Sequence, residues 1–89
     1  MKTIWKYELT ASDENDLQMP EGAEVLTVQV QGGLVCIWAI VDDTAPLTSR
    51  CFEIFGTGHR IEDGSGKRKY VGTFQLQGGS LVFHVFELL

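Results

Sequence analysis

Eighty-nine residues, 44% of them hydrophobic and only two of them proline, suit a single globular domain, residues 1–89, with one modest core. A formal charge of −5 argues against DNA or long RNA, whose binding depends on many phosphate contacts. No run of about eighteen apolar residues occurs, so no membrane-spanning helix is expected.

The chain opens Met1-Lys2-Thr3-Ile4-Trp5-Lys6-Tyr7-Glu8, which lacks the apolar centre of a secretion signal and points to the cytoplasm. Lys2 to Leu9 alternates as a first strand, with Trp5 and Tyr7 on one face. Thr10 to Asp16, rich in Ser, Asp, Glu and Asn, reads as a solvated loop. Leu17 to Gly22 reads as a very short edge strand ending in a Pro-x-Gly turn. From Glu24 to Gln31, Leu26, Val28 and Val30 alternate with Thr27, Gln29 and Gln31, which predicts one buried and one polar face. Gly32-Gly33 closes a tight hairpin into Leu34–Asp42, apolar on both faces and therefore central. A loop over Asp43–Ser49 leads to a strand over Arg50–Gly56. Arg60 to Lys69 reads as a loop, Tyr70–Gln77 as a strand, and Gly78-Gly79 as the turn into the last strand, Ser80–Leu88. The corners at Val28–Gly33 and Phe74–Gly79 share a composition and so predict the same turn chemistry. No helical period extends beyond a turn. The expected fold is all-β, a small antiparallel β-sandwich or half-open barrel of about six strands.

Cys36 and Cys51 lie inside apolar runs at no zinc or redox spacing, so both are expected as reduced, partly buried thiols. No nucleophile elbow, Walker loop or dinucleotide fingerprint is present, and two histidines without neighbouring ligands make a poor metal site. The chain is thus expected to be no enzyme and to carry no metal or cofactor.

The residues that stand out are Gly56-Thr57-Gly58-His59, a turn leaving an apolar strand. Its glycines permit close backbone approach to an anion, while Thr57 adds a hydroxyl and His59 an imidazole. Five of the seven Lys and Arg residues lie between 50 and 69, whereas the first 43 residues hold eight of the twelve acids. That distribution predicts a small patch suited to one or two phosphates. His84 shares a face with Val82 and Phe86 and is expected as a hydrogen-bonded core or interface histidine. Trp5 and Tyr7, on a possible edge strand, suit either a subunit interface or a stacking platform for a flat ligand.

Several pieces in order carry a resemblance: Lys2-Thr3-Ile4-Trp5-Lys6-Tyr7, Met19-Pro20-Glu21-Gly22-Ala23, Val28-Gln29-Val30-Gln31, Trp38-Ala39-Ile40-Val41-Asp42, Gly56-Thr57-Gly58-His59, Tyr70-Val71-Gly72-Thr73-Phe74-Gln75 and Leu81-Val82-Phe83-His84-Val85-Phe86-Glu87. With them the chain resembles a family of small tailed-phage proteins similar to the anti-CBASS sponges, which bind cyclic dinucleotides without cleaving them. CBASS is a bacterial defence that signals infection with cyclic oligonucleotides. The resemblance implies a homo-oligomer, a tetramer, holding a ligand such as cyclic GMP-AMP between subunits in the cytoplasm of an infected bacterium. It implies Thr57, Gly58 and His59 as contacts to phosphate or ribose, Trp5, Tyr7 and Trp38 as base-stacking surfaces, and Arg60 and Lys69 as sources of charge. The competing reading is a β-structured protein–protein module without a nucleotide ligand.

Overall fold

A computed structural model describes residues 1–62 and 66–89. Among these residues the chain forms seven strands: β1 (Lys2–Glu8), β2 (Glu14–Pro20), β3 (Glu24–Gln31), β4 (Leu34–Asp42), β5 (Leu47–Gly56), β6 (Arg68–Leu76) and β7 (Leu81–Leu88). All pairings are antiparallel. One sheet has the order β1-β4-β3 and the other β2-β5-β7-β6. The two sheets pack face to face as a sandwich that is not closed into a barrel. No described helix is long and apolar enough to cross a membrane.

The apolar alternation sorts each strand between two faces. Cross-strand partners share a face, so Ala39, Ile37 and Val41 face inward with Val28 from β3. They meet Phe52, Phe74 and Val85 of the second sheet, and all of these are buried. β4 is central in its sheet, as its two-sided apolarity predicted. Two features bring β3 alongside β6. Each strand carries a bulge, at Val25/Thr27 and at Tyr70/Gly72, and bulges add local twist. Gly72 then removes the last obstacle, since a Cβ there would lie 2.7 Å from Val28 Cγ1.

Among the described residues, a charged pair lies between the sheets. Arg50 reaches inward to Glu87 through Nε–Oε2 at 2.5 Å and Nη2–Oε1 at 2.8 Å, and donates from Nη1 to the Ala23 carbonyl at 2.6 Å. Burial pushes the nearby Tyr7 phenol above its ordinary range, and the Arg50 charge partly offsets this. Among the described residues the buried Tyr7 hydroxyl has no hydrogen-bond partner.

Four sequence expectations change. The polar run Glu14-Asn15-Asp16 is strand and not loop, and it lengthens the expected short edge strand into β2. Its middle residue explains why. Asn15 points inward and accepts from the Thr10 N–H (2.8 Å) and hydroxyl (2.9 Å), while its amide donates to the Thr10 and Ser12 carbonyls (3.4 and 3.3 Å). β5 and β6 each begin earlier than expected, at Leu47 and Arg68. The two Gly-Gly corners also differ. Gly32 and Gly33, at φ 58° and 82°, form the two-residue hairpin, whereas Gln77, Gly78 and Gly79 all take positive φ in a 3₁₀ turn that the Ser80 hydroxyl closes onto the Gln77 carbonyl at 2.9 Å. Finally, Tyr7 packs against the core, so Trp5 and Tyr7 do not form an exposed pair.

Candidate functional site

The Gly56–His59 turn leaves β5 at its pairing with Phe83 of β7. The Thr57 N–H donates to the Val82 carbonyl at 3.1 Å, and the His59 N–H donates to the Gly56 carbonyl at 3.0 Å. These bonds fold the imidazole back over Gly56, whose N–H donates to His59 Nδ1 at 3.2 Å. An accepting Nδ1 places the proton of the neutral ring on Nε2. Only glycine fits beneath the ring, since a Cβ at position 56 would stand 2.7 Å from His59 Cε1. Gly58 has a different task. Its φ of +88° reverses the chain, and the space on its Cβ side is open.

Two adjoining clefts meet at this ring. The smaller, about 110 Å³, is lined by Thr10, Ala11, Ser12 and Asp13, by Gly56 and His59, and by the apolar side chains of Ile54, Phe74, Leu76 and Phe83. Phe74 and Phe83 stack with centroids 5.4 Å apart and an interplanar angle of 26°. Thr10 and Ser12 share a 2.6 Å hydroxyl contact, and Asn15 fixes their loop from behind. The larger cleft, about 280 Å³, shares Gly56, His59 and Phe83 and adds Thr57, Ser80, Leu81 and Val82. An apolar cavity of about 150 Å³ encloses one benzene ring, so the smaller cleft takes the edge of a ring and does not enclose one. A drug-sized ligand needs roughly 300–1,000 Å³.

Thr57 turns the other way. Its hydroxyl lies 2.7 Å from His84 Nε2, and His84 Nδ1 lies 3.0 Å from the Thr73 hydroxyl, which lies 2.7 Å from the Tyr70 phenol. This chain crosses the outer face of the second sheet. It borders an aromatic group in which Phe86 meets Phe55 at 6.0 Å and Tyr70 at 5.5 Å, both edge-on, while the Arg68 guanidinium lies 5.5 Å from the Phe55 centroid. Cys51, opposite Leu88 on the same face, has its thiol pushed up to about 11 by burial and by Asp16, and is therefore a poor nucleophile. Both cysteines are free.

Of the sequence-derived site, Thr57, Gly58, His59 and Arg60 stay together in one exposed turn, although Thr57 and His59 send their side chains to opposite faces of the sheet. The other members are dispersed. Trp5 and Tyr7 pair with Ala39 and Ile37 on the inward face of the first sheet, whereas Trp38 pairs with Lys6 on its outward face. Lys69 pairs with Glu87, four residues along β7 from Phe83, which is about 13 Å from the turn. The basic stretch from 50 to 69 is likewise no single patch. Arg50 is inside with Glu87, and Arg68 is held by Glu53 at 2.6 Å. Asp63 to Ser65, part of that expected loop, lie outside the described residues.

The sequence reading missed loop 10–13, Phe74 and Phe83 as neighbours of the turn. His84 was expected in the core or at an interface, and its place is a half-buried bridge between two threonines. Among the described residues no cluster of three or more His, Cys, Asp or Glu side chains could hold a metal ion.

Over residues 1–89 the chain matches, and so belongs to, the family described as Domain of unknown function (DUF7352). No curated protein and no solved structure matches it significantly.

Proposed function

We propose that this protein binds a cyclic dinucleotide stoichiometrically and leaves it intact, lowering the concentration of a defence signal in the cytoplasm of a phage-infected bacterium. The observation that carries this reading is the His59 imidazole, laid over Gly56 at the junction of two clefts that each combine apolar walls with hydroxyl groups. The smaller cleft takes the edge of one base toward Phe74 and Phe83, with the hydroxyls and Asp13 of loop 10–13 beside it. The neighbouring phosphate and ribose lie toward Gly58 and Ser80, where the His59 Nε2–H donates and Arg60 adds charge. A cyclic dinucleotide has two bases and two phosphates, and one cleft of about 110 Å³ takes no more than part of one base. The ligand is therefore shared between copies of the chain, in keeping with a homo-oligomer.

Isothermal titration with a panel of cyclic dinucleotides, cyclic GMP-AMP first, tests the proposal, together with native mass spectrometry to count subunits and ligands. The expected result is saturable binding at a fixed stoichiometry, with unchanged ligand recovered after denaturation. Absence of binding across cyclic di- and trinucleotides would overturn it, and so would product accumulating at catalytic protein concentrations. A second reading, a protein–protein module, draws on the outer aromatic face formed by Phe55, Tyr70 and Phe86. It predicts one stoichiometric host partner whose capture survives His59→Ala and fails with Tyr70→Ala.

A further inference from the structure

The four sheet edges are not equivalent. β3 and β6 lie alongside one another and approach closely at Val28 and Gly72, so each partly covers the other's outer edge. The exposed edge of β2 is set by its ladder with β5. Asp13 accepts from Ile54 N–H, so Asn15, Leu17 and Met19 direct their backbone groups toward β5, leaving Glu14, Asp16, Gln18 and Pro20 on the open side. Proline has no N–H to offer, and two carboxylates repel an identical strand. That edge is guarded.

β1 is different. Leu9 N–H donates to Val35 O, and Asp43 N–H donates to Met1 O, which sets the phase of its ladder with β4. Odd-numbered residues bond to β4, so the backbone groups of Lys2, Ile4, Lys6 and Glu8 point to the open side. Among the described residues no strand pairs with that edge. Ile4 and Trp5 on this strand are 57% and 37% exposed.

We propose that a second copy of this chain pairs with β1 along this edge, antiparallel about a two-fold axis through Trp5, joining two three-stranded sheets into one of six. The open-side groups can bond only in registers that set even residues opposite even residues. With Trp5 on the axis, Ile4 faces Lys6 of the other copy and Lys2 faces Glu8, so every open-side N–H and C=O of the strand finds a partner, and the end charges attract. Sliding to put Ile4 on the axis sets Lys2 against Lys6. Sliding the other way sets Lys6 against itself. Both neighbouring registers therefore place ammonium groups opposite each other, so the lysines that guard an edge strand here select one register. The two Trp5 rings then meet as a non-hydrogen-bonded pair, the closer kind of cross-strand neighbour.

This interface supplies a contact for the several-copy assembly proposed above, and its test contains no nucleotide, so its failure is separate from failure of ligand binding. Sedimentation velocity over a wide range of protein concentration should show a dimer for the full chain. Ile4→Pro removes an open-side N–H and no bond to β4, so it should abolish the dimer with the far-UV spectrum unchanged. Lys2→Glu sets like charges opposite twice per dimer and should weaken association about tenfold, and adding Glu8→Lys should restore it to within about threefold. Should Ile4→Pro fail to fold, this charge reversal and its restoration decide alone. A monomer at all concentrations overturns the proposal, as does a dimer indifferent to Lys2→Glu.

Discussion

Gly56→Ala separates the site from the fold. The new methyl group would lie 2.7 Å from His59 Cε1 and 2.9 Å from Nδ1, so the ring must swing away. Its three nearest neighbours all belong to that ring, and Gly56 does not have a positive φ, so alanine is compatible with the strand end. The bond from Gly56 N–H to His59 Nδ1 is lost, and an exposed hydrogen bond contributes about 0.5–1.5 kcal/mol. Against this, replacing glycine at a compatible position stabilises by about 0.4–1 kcal/mol through the unfolded chain. The two terms nearly cancel, leaving a change within about 1 kcal/mol, or a Tm shift within about 8 °C for a domain of this size. The imidazole nevertheless leaves the junction of the two clefts. A thermal melt paired with ¹⁵N spectra of the His59 ring reads both quantities. The expected outcome is a nearly unchanged Tm, loss of the fixed Nε2–H tautomer and at least tenfold weaker cyclic-dinucleotide binding. A Tm fall of more than about 15 °C would refute the claim that only a movable ring occupies that space. An unchanged tautomer would refute the role of Gly56 as its seat.

Gly72→Ala should be far more costly, because its methyl group meets the buried Val28 Cγ1 at 2.7 Å. Overpacking of this kind costs about 1–3 kcal/mol, and adding Val28→Ala should recover part of it in chemical denaturation. Glu87→Gln leaves the Arg50 charge between the sheets without a counter-ion, a loss of about 3 kcal/mol by urea titration; a loss below about 1 kcal/mol would refute the buried pair. Asp42 is held down at about 2, against an ordinary 3.8, first by the Thr44 hydroxyl at 2.7 Å, then by the Thr44 N–H and the N-terminal ammonium. A depressed carboxylate contributes stability that is present above pH 3.8 and lost as pH falls through about 2. Thr44→Ala should raise the Asp42 value measured by NMR and move that acid loss to higher pH.

What was legible in the sequence was whatever has a period of two. Val28 announces the core because it alternates with Thr27 and Gln29, whereas Ile37 and Ala39 lie in a strand apolar on both faces, where only the pairing with Val28 and β1 picks out the inward set. Asn15 defeats that rule, since a polar residue facing inward between charged neighbours looks like loop until its four bonds to Thr10 and Ser12 are seen. The site was legible only as the Gly56–His59 turn. Its other walls come from β6, β7 and the β1–β2 loop, and nothing local to Phe74 or Ser12 announces that they meet His59. The side chains of Thr57 and His59 were read as one set because they lie two residues apart. In the structure Gly58 reverses the chain between them and His59 folds back, while Thr57 continues the outward face toward His84.

The charges show the same limit in a form that bears on mechanism. Clustering in sequence between residues 50 and 69 suggested a phosphate-binding patch, yet a strand points successive side chains to opposite faces and a sandwich hides one of them. Arg50 is accordingly drawn inside to Glu87, Arg68 lies against Phe55 and Glu53 on the far face, and Lys69 stands at the other end of β7 from the turn. Arg60 is the cation of this stretch that the fold keeps in the turn with Gly58 and His59. Recognition of an anion there would rest on a few donors, the His59 Nε2–H and Arg60, because the Gly56, Thr57 and His59 backbone N–H groups are already bonded within the protein. A site of that kind suits a compact ligand with one phosphate at each turn. It offers little to a long polyanion, whose affinity grows with the number of cations it meets. The acidic balance of the chain and a phosphate-bearing ligand are thus compatible.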